Sequence, residues 1–364
     1  MASPVTACAD VFATATSHLK KTIRYFVALV LLVASASAAI ASDDIITEYP
    51  LPAKDTYPTA VEIAPDGGVW FVEYVANKIT RFDPATREFK SFAIPSSRSS
   101  SMDLEVDSAG IVWFVEEDAN IVASLDPKTG KFEEHLLPKP KSKPGSILVS
   151  KSGFVWMLGW NSNLLIKFNI KTKKFSEYII PTPNSFSYNL AEDRNGKIFF
   201  IERAGNKLAM FDPSAETFKE WKISDSIQSA LGTLIDSKGA VWYLRLVDNL
   251  LVRFDPATGK SKEFTLPKNK GTQEIALDLK DNIWMAQSTD NVIMQFDSNA
   301  GMFRKYDIPT GATKPNSIAV DAKGVVWFTQ AKTTGLGMLD ATKVGGINRK
   351  LGVKFKPPKD IFRR

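Results

Sequence analysis

The sequence predicts an all-β fold, a seven-bladed β-propeller with four antiparallel strands in each blade. Three observations predict it. A large aromatic residue recurs every 42 or 43 residues, each repeat contains four short strand-like runs, and one extra strand precedes the first repeat. A period of about 40–50 residues with four strands in each period is typical of propeller blades.

Four columns of the repeat keep one spacing. The first column is the aromatic residue, found at Trp70, Trp113, Trp156, Phe199, Trp242, Trp284 and Trp327. A glycine stands three residues before it, with aspartate in the sixth repeat, and an asparagine stands seven residues after it, with threonine in the seventh. Aspartate or asparagine stands thirteen residues after it. Four columns sharing one period indicate a repeat architecture.

The first repeat shows how each period divides. Strands A to D are predicted at 60–63, 69–73, 78–82 and 88–94. Gly67 lies in the A–B turn, where glycine accommodates a positive φ, and Asn77 suits a left-handed residue between strands B and C. The large aromatic of strand B is expected to pack between neighbouring sheets.

The two ends of the repeat array complement each other. The last repeat has no clear strand D, whereas a D-like run, ITEYPLP, stands at 46–52. We expect this N-terminal strand to complete the last blade and close the ring, which removes the open sheet edges of a linear array. The propeller is therefore predicted at 42–342.

Both termini differ from the repeats. Residues 1–41 contain three basic residues, a short apolar run and small residues before Ala38 and Ala41, a pattern typical of a cleaved signal peptide, with an uncleaved anchor as the alternative. Residues 343–364 form a basic tail, predicted to be a disordered extension or to contact an anionic surface. The protein is expected to be secreted or periplasmic.

Composition excludes several classes of function. The net charge is +6, but the excess of basic residues lies in the termini, so the propeller offers no basic face for nucleic acid. The single cysteine, Cys8, and His18 lie in the signal peptide. His135 lies in a D strand and is expected to be a surface residue. No nucleotide-binding, serine-hydrolase or zinc-protease motif is present.

The repeat motifs resemble those of the virginiamycin B lyase (streptogramin B lyase) family of seven-bladed propellers. In the first repeat they are Trp70-Phe71-Val72-Glu73, Asn77-Lys78-Ile79 and Arg81-Phe82-Asp83-Pro84. The resemblance covers the whole propeller. It implies a divalent metal at the channel mouth, a histidine base eleven residues before the repeat tryptophan, and a glutamate three residues after a tryptophan.

Carried over to this chain, the resemblance defines two sets of seven positions. The histidine column reads Thr59, Met102, Gly145, Tyr188, Leu231, Gln273 and Asn316, and none is histidine. The glutamate column reads Glu73, Glu116, Gly159, Glu202, Arg245, Gln287 and Gln330. Because removal of a proton next to a carbonyl needs a base that titrates near neutral pH, the missing histidine argues against lyase chemistry. Tyr188 is the one candidate base that remains, and it would need a strongly lowered pKa.

The glutamate column supplies the candidate ligand-binding residues at the channel mouth: Glu73, Glu116, Glu202, Arg245, Gln287 and Gln330. Three carboxylates, Glu73, Glu116 and Glu202, are candidate ligands for Mg²⁺ or Ca²⁺, which bind oxygen atoms. The alternative is that these glutamates only hold their own blades together. Asp103 and Glu274 flank the histidine column, and Lys139, Lys141, Lys143, Lys268 and Lys270 lie in loops of the same predicted face.

These observations favour an exported, lyase-like propeller that binds a small ligand or a protein on its top face without catalysis. It is expected to be a monomer that is not an integral membrane protein after signal cleavage. The alternative is a divalent-metal-dependent carbon–oxygen lyase or hydrolase that uses channel-mouth carboxylates. A purely structural cell-envelope propeller is the third reading.

Overall fold

The computed structural model describes residues 45–226, 229–267 and 271–346. The predicted signal peptide, most of the predicted basic tail, Lys268 and Lys270 lie outside these residues. The predicted boundaries at 41 and 343 therefore stay predictions.

The described chain folds into seven four-stranded antiparallel sheets, the blades of a propeller. Strand β1 (Ile46–Pro50) precedes them. The strands of each blade, in the order A to D, are as follows. Blade 1 has β2 (Pro58–Ile63), β3 (Val69–Glu73), β4 (Lys78–Asp83) and β5 (Glu88–Ala93); blade 2 has β6 (Leu104–Val106), β7 (Val112–Glu116), β8 (Ile121–Asp126) and β9 (Lys131–Leu136); blade 3 has β10 (Pro144–Ser150), β11 (Phe154–Gly159), β12 (Leu164–Asn169) and β13 (Phe175–Ile179); blade 4 has β14 (Ser187–Glu192), β15 (Ile198–Glu202), β16 (Lys207–Asp212) and β17 (Thr217–Lys222). Blade 5 has β18 (Leu231–Ile235), β19 (Val241–Arg245), β20 (Leu250–Asp255) and β21 (Lys260–Thr265); blade 6 has β22 (Thr272–Leu277), β23 (Ile283–Gln287), β24 (Val292–Asp297) and β25 (Met302–Asp307); blade 7 has β26 (Pro315–Val320), β27 (Val325–Gln330) and β28 (Gly335–Asp340).

Blade 7 is completed by the N-terminal strand, as the sequence predicts. Strand β1 pairs antiparallel with β28, with Ile46 opposite Leu339 and Pro50 opposite Gly335. The sheet order is β1-β28-β27-β26, so the outermost strand of the last blade comes from the start of the propeller. A 3₁₀ turn, Ala341–Gly346, follows β28.

The A strands of neighbouring blades contact one another and form the innermost layer, while the D strands are outermost. We call the end that carries the B–C and D–A connections the top face, and the end that carries the A–B and C–D turns the bottom face. No helix in the described part of the chain is long and apolar enough to cross a membrane.

The core lies between the blades. One hydrophobic cluster contains Trp70 and Val72 of blade 1 with Phe114 and Leu125 of blade 2, all of them buried. Burial of each such large apolar side chain contributes about 1.5–3 kcal/mol. The repeat aromatic is therefore the residue that joins each sheet to its neighbour.

Backbone geometry explains two columns of the repeat. All seven residues of the asparagine column, Asn77, Asn120, Asn163, Asn206, Asn249, Asn291 and Thr334, have a positive φ. The glycine column, with Asp281 in blade 6, also has a positive φ throughout. The left-handed conformation predicted for Asn77 is confirmed, since asparagine tolerates this region better than most residues.

Candidate functional site

The asparagine column fixes the loops of the top face. The Asn77 amide donates to the carbonyl oxygens of Ile94 and Ser96 at 3.3 and 2.8 Å, and its Oδ1 accepts from the Ser99 hydroxyl at 2.6 Å. Equivalent hydrogen bonds are made by Asn163 to Ile180, Thr182 and Ser185. Each D–A loop is thus held by the B–C turn of its own blade, so the top face is a set of supported loops.

Beside the histidine column, an inner ring of side chains links neighbouring A strands. Asp103 Oδ2 accepts from the Ile147 amide at 3.0 Å, and Ser317 Oγ accepts from the Val61 amide at 2.9 Å. Asn189, at the same repeat position, accepts from Gly232 at 2.9 Å. Since each bond joins a side chain of one blade to the backbone of the next, the ring helps hold the innermost layer together.

Acidic side chains gather along these inner strands. Burial raises the pKa of Asp103 to about 7, and burial together with the charge of Asp103 raises the pKa of Glu274 to about 8. Burial also raises the pKa of Glu62 to about 7, and burial and the charge of Glu62 raise that of Glu105 well above its usual value. These groups share their environment, so one carboxylate disfavours ionisation of the next.

The glutamate column points away from this inner layer. Glu73 is buried, and its Oε1 accepts hydrogen bonds from Thr80 of strand C and from Ser91 of strand D, the latter at 3.2 Å. The side chain therefore reaches outward across strand C. The reason is the strand register, because Glu73 shares a sheet face with Phe71, whose cross-strand partner in β4 is Thr80.

The same outward direction explains the residues that replace glutamate. In blade 5, Arg245 forms an ion pair with Glu263 of strand D at 2.5 Å and a second pair with Asp248. In blade 7, the Gln330 amide donates to Glu48 of β1. In blades 1, 5 and 7, the side chain at the glutamate-column position thus contacts a polar or acidic residue of the outermost strand.

Glu116 and Glu202 each lie within reach of a second glutamate. Both are fully buried, and burial together with the charges of Glu134 and Glu220 raises their pKa values to about 7. Ser96 and Glu134 lie close to the Glu116 carboxylate, and Thr182 and Glu220 lie close to that of Glu202. These two groups are buried acids that titrate near neutral pH.

The remaining two positions of the column are also accounted for. Gln287 is buried and contacts the Met294 sulfur at 3.8 Å. Gly159 lies where a Cβ atom would clash with Ser162, and the glutamate across from it, Glu177, accepts from the Lys139 amide at 3.2 Å. The ligand-binding roles of Glu73, Glu116, Glu202, Arg245, Gln287 and Gln330 stay predictions that this geometry does not support.

The contacts of these carboxylates also bear on metal binding. Across residues 45–226, 229–267 and 271–346, no group of three or more His, Cys, Asp or Glu side chains is arranged to hold a metal ion. Glu73, Glu116 and Glu202 lie in three separate blades, and the Glu73 carboxylate already accepts two hydroxyl groups. The arrangement does not fit a magnesium or calcium site built from these three carboxylates.

The histidine column holds side chains of very different kinds. Thr59 and Gly145 are buried, Met102 is exposed, and Tyr188 is half-buried. At Gly145 a Cβ atom would lie only 2.5 Å from the Trp160 Nε1. In blade 3 the place of a side chain in this column is therefore taken by an indole ring.

Trp160 and Tyr188 form one wall of a top-face pocket of about 390 Å³. Their ring centroids lie 5.7 Å apart, and Phe186 and Arg203 also line the pocket. Phe186 is 53% exposed although it is a large apolar residue. We call this site, defined by Trp160, Phe186, Tyr188 and Arg203, the aromatic pocket. The sequence analysis identified Tyr188 but missed the other three residues of the pocket. The available signal was a glycine in the histidine column, Gly145, together with an aromatic residue at position 160.

The Tyr188 hydroxyl does not have the properties of a base. Burial and the negative charges of Asp103 and Glu274 raise its pKa above the usual value. A phenol that removes a proton at neutral pH needs the opposite shift.

His135, expected at the surface, is half-buried. Its ring lies 4.8 Å from that of Phe168 in the next blade, and burial lowers its pKa. Equivalent positions in other D strands hold Phe92, Tyr178 and Trp221. His135 therefore packs between blades in place of an aromatic residue.

Fold and repeat geometry together define the class: the chain is a seven-bladed β-propeller that is similar to the virginiamycin B lyase family. Residues 33–211 match the model of the virginiamycin B lyase family. No curated protein matches the sequence at a significant level.

Solved structures agree with this assignment. Virginiamycin B lyase from Staphylococcus aureus, solved as the selenomethionine protein and as a catalytically inactive histidine-to-alanine variant with quinupristin, is 24% identical, with a TM-score of 0.75 over 81% of this chain and 98% of the other. A streptogramin B lyase is 26% identical, with a TM-score of 0.75 over 81% and 96%. The extracellular domain of a hybrid two-component system from B. thetaiotaomicron is 14% identical, with a TM-score of 0.66 over 82% of this chain and 43% of that one. Likeness at this level of identity shows the fold.

Proposed function

We propose that this protein is a non-catalytic propeller that binds a small molecule in the aromatic pocket of its top face. The observation that carries the proposal is the exchange at Gly145, where an indole occupies the space of a histidine-column side chain. A concave site with aromatic walls and one charged group is the usual form of a small-molecule site.

The contacts of the pocket indicate the class of ligand. Trp160, Phe186 and Tyr188 present ring faces and edges to one space. Among the described residues, no carboxylate lies within ion-pair distance of Arg203, which lines the same space. Because a guanidinium binds a carboxylate through two parallel hydrogen bonds, a planar aromatic carboxylate suits this site.

The absence of a histidine base supports binding without turnover. No position of the histidine column is a histidine, and the raised pKa of Tyr188 opposes its use as one. The related Staphylococcus aureus enzyme is described as inactive when a histidine is changed to alanine.

Export completes the proposal. The predicted signal peptide at 1–41 would deliver the propeller to the periplasm or outside the cell. An extracellular domain among the structural neighbours is consistent with this location. In that setting the top face would be free to meet a diffusing ligand.

Calorimetric titration with 2-naphthoate tests the binding proposal. We expect wild-type protein to bind, and Trp160→Ala to weaken binding by about tenfold or more, since it removes one aromatic wall. Tyr74→Ala is the matched control because it removes an aromatic at the equivalent repeat position in blade 1. Equal affinity in wild type and Trp160→Ala would contradict the proposal.

Incubation with quinupristin, followed by mass spectrometry, tests the absence of catalysis. We expect no conversion above the no-protein control. Conversion that disappears in Tyr188→Phe would establish tyrosine as the base and restore the lyase reading.

A further inference from the structure

The bottom face has grooves between neighbouring blades, and two of them differ greatly in size. The groove between blades 1 and 2 has a volume of about 390 Å³ and is lined by Trp70, Arg81 and Lys90. The groove between blades 4 and 5 is part of a cavity of about 1210 Å³ that also reaches Lys151 of blade 3 and Asp278 of blade 6. Phe199, Met210 and Lys219 stand at the equivalent repeat positions. We call the larger groove the blade 4–5 cleft.

The repeat aromatic is one cause of the difference. Six blades carry tryptophan in this column, and blade 4 alone carries phenylalanine, Phe199. In blades 2 and 5 the indole N–H donates to an aspartate of the A–B turn, from Trp113 to Asp107 at 3.1 Å and from Trp242 to Asp236 at 3.0 Å. Phe199 has a smaller ring and no N–H group, so the space below it stays open.

A second substitution enlarges the same space. In blade 1, Arg81 forms ion pairs with Asp66 and Asp83, both at 3.1 Å, and its guanidinium crosses the groove. It lies so close to Gly68 that a Cβ atom there would be 2.6 Å from the Arg81 Nε. Met210 at the equivalent position of blade 4 carries no charge and makes no such bridge.

The wall of the blade 4–5 cleft presents an aromatic platform. Trp221 stacks on Phe199 with ring centroids 6.5 Å apart and an angle of 9° between the planes. The Lys219 ammonium lies 4.7 Å from the centre of the Trp221 ring. Trp221 is only half-buried, so part of its surface faces the open space.

The charges of the cleft are unequally compensated. Asp193 accepts from the amides of Asn195 and Lys197 at 2.8 and 2.9 Å, and Asp236 accepts from Trp242 and Arg253. Asp278 accepts from the Lys280 and Asn282 amides and from Trp284. By contrast, Lys151, Lys219 and Lys238 have no carboxylate within ion-pair distance among the described residues. The cleft therefore offers ammonium groups without an ion-pair partner, while its carboxylates, which also include Glu192 and Asp281, are oriented by hydrogen bonds of their own.

We propose that the blade 4–5 cleft is a second binding site, which takes a small aromatic anion such as a flat ring that bears a phosphate or sulfonate group. The ring would lie against Trp221 and below Phe199, and the anionic group would meet Lys219 and Lys238. Flat rings bind by stacking on an aromatic side chain, and the volume of the cleft exceeds what such a ligand needs. The site lies at the opposite end of the A strands from the aromatic pocket.

Fluorescence titration with 8-anilinonaphthalene-1-sulfonate tests this site directly. We expect wild-type protein to enhance the fluorescence of the probe and Phe199→Trp to weaken its binding by about tenfold or more, because the indole fills the cleft. Lys219→Ala is expected to weaken binding as well. Lys90→Ala, which removes the equivalent lysine of the smaller groove, is the matched control. N-phenyl-1-naphthylamine, which lacks the sulfonate, is expected to bind more weakly.

Two further measurements keep the result decisive. Met210→Arg restores the arginine of blade 1 and is expected to weaken binding even if Phe199→Trp does not fold, which circular dichroism will show. Trp160→Ala is expected to leave the sulfonate titration unchanged, so failure of the top-face proposal would not affect this one. Unchanged sulfonate binding in folded Phe199→Trp or Met210→Arg protein would overturn the proposal.

Discussion

Blades 2 and 4 carry the same pair of glutamates at their upper ends but surround it differently. In blade 4, Lys207 reaches the pair, with its Nζ 2.6 Å from Glu220 Oε2 and 2.7 Å from the Thr182 hydroxyl. In blade 2 the equivalent residue is Ile121, and the polar neighbour is Ser96, 3.3 Å from Glu134. One blade therefore holds a compensated acid pair, and the other holds an uncompensated one.

The difference shows how the repeat tolerates buried charge. Burial raises the pKa of Glu220, but hydrogen bonds from Lys207 and Thr182 outweigh this effect and lower it overall. The paired carboxylate Glu202 then takes the proton, with its pKa raised to about 7. Blade 2 has no cation at this place, and Glu134 instead extends into solvent. In blade 2, solvent around the outer glutamate, Glu134, stabilises the charge that Lys207 stabilises in blade 4.

Among the substitutions that test this difference between blades 2 and 4, removal of the blade 4 lysine should change stability the most. We expect Lys207→Met to lower the free energy of unfolding by about 2 kcal/mol at pH 7, between the values typical of exposed and of buried ion pairs. Urea denaturation followed by tryptophan fluorescence measures it. Lys78→Met is the control, since strand D of blade 1 places Ser91 rather than a glutamate at the equivalent position. Equal losses in the two variants would mean that the ion pair adds nothing.

Neutralising the buried glutamate of blade 2 should have an intermediate, pH-dependent effect. The pKa of Glu116 rises from 4.5 to about 7 on folding, so the folded state binds more protons and loses stability as pH increases between these values. Glu116→Gln lacks this loss. We expect the variant to melt a few degrees above wild type at pH 8 and to lose that advantage at pH 4.5. Calorimetric scans at both pH values measure it, with Glu177→Gln as the control. An advantage that does not change with pH would refute the buried-acid assignment.

Giving blade 2 the lysine of blade 4 should have the smallest effect. We expect Ile121→Lys to change stability by no more than about 0.5 kcal/mol at pH 7, because the new ion pair with Glu134 offsets the lost packing of isoleucine. The same variant should reduce the pH dependence that Glu116 produces. Ile121→Met is the control, because methionine is an unbranched side chain without charge. If both variants keep the wild-type pH dependence, the cation does not reach the pair.

The fold could be predicted from the sequence because its determinants are local and repeated. The asparagine column needs a left-handed backbone, the glycine column needs a tight A–B turn, and seven copies of each repeat the same signal. Ring closure by β1 could be inferred because the last repeat lacks a D strand and a D-like run precedes the first repeat. None of these inferences depends on where a side chain points.

The candidate site could be predicted only in part because it depends on that direction. Glu73 stands at the top end of strand B as expected. It lies three residues from Trp70, and this odd offset places the two side chains on opposite faces of the sheet. On its own face, the Glu73 side chain reaches across strand C toward strand D. The strand-D residues across from the column, among them Ser91, Glu134 and Glu263, are polar or acidic, and this pairing was the available signal. Trp160 was missed because it belongs to no column of the repeat.

The closure of blade 7 has a consequence for the order of folding. Strand β1 is among the first propeller segments to be synthesised, and its partner β28 is the last strand. At typical rates of about 5–20 residues per second, roughly 15 to 60 s of synthesis separate the two. During that time the backbone edge of β1 has no native partner, and contacts of such long sequence separation also slow folding itself. The strand that seals the finished ring is thus the segment most in need of protection while the ring is incomplete.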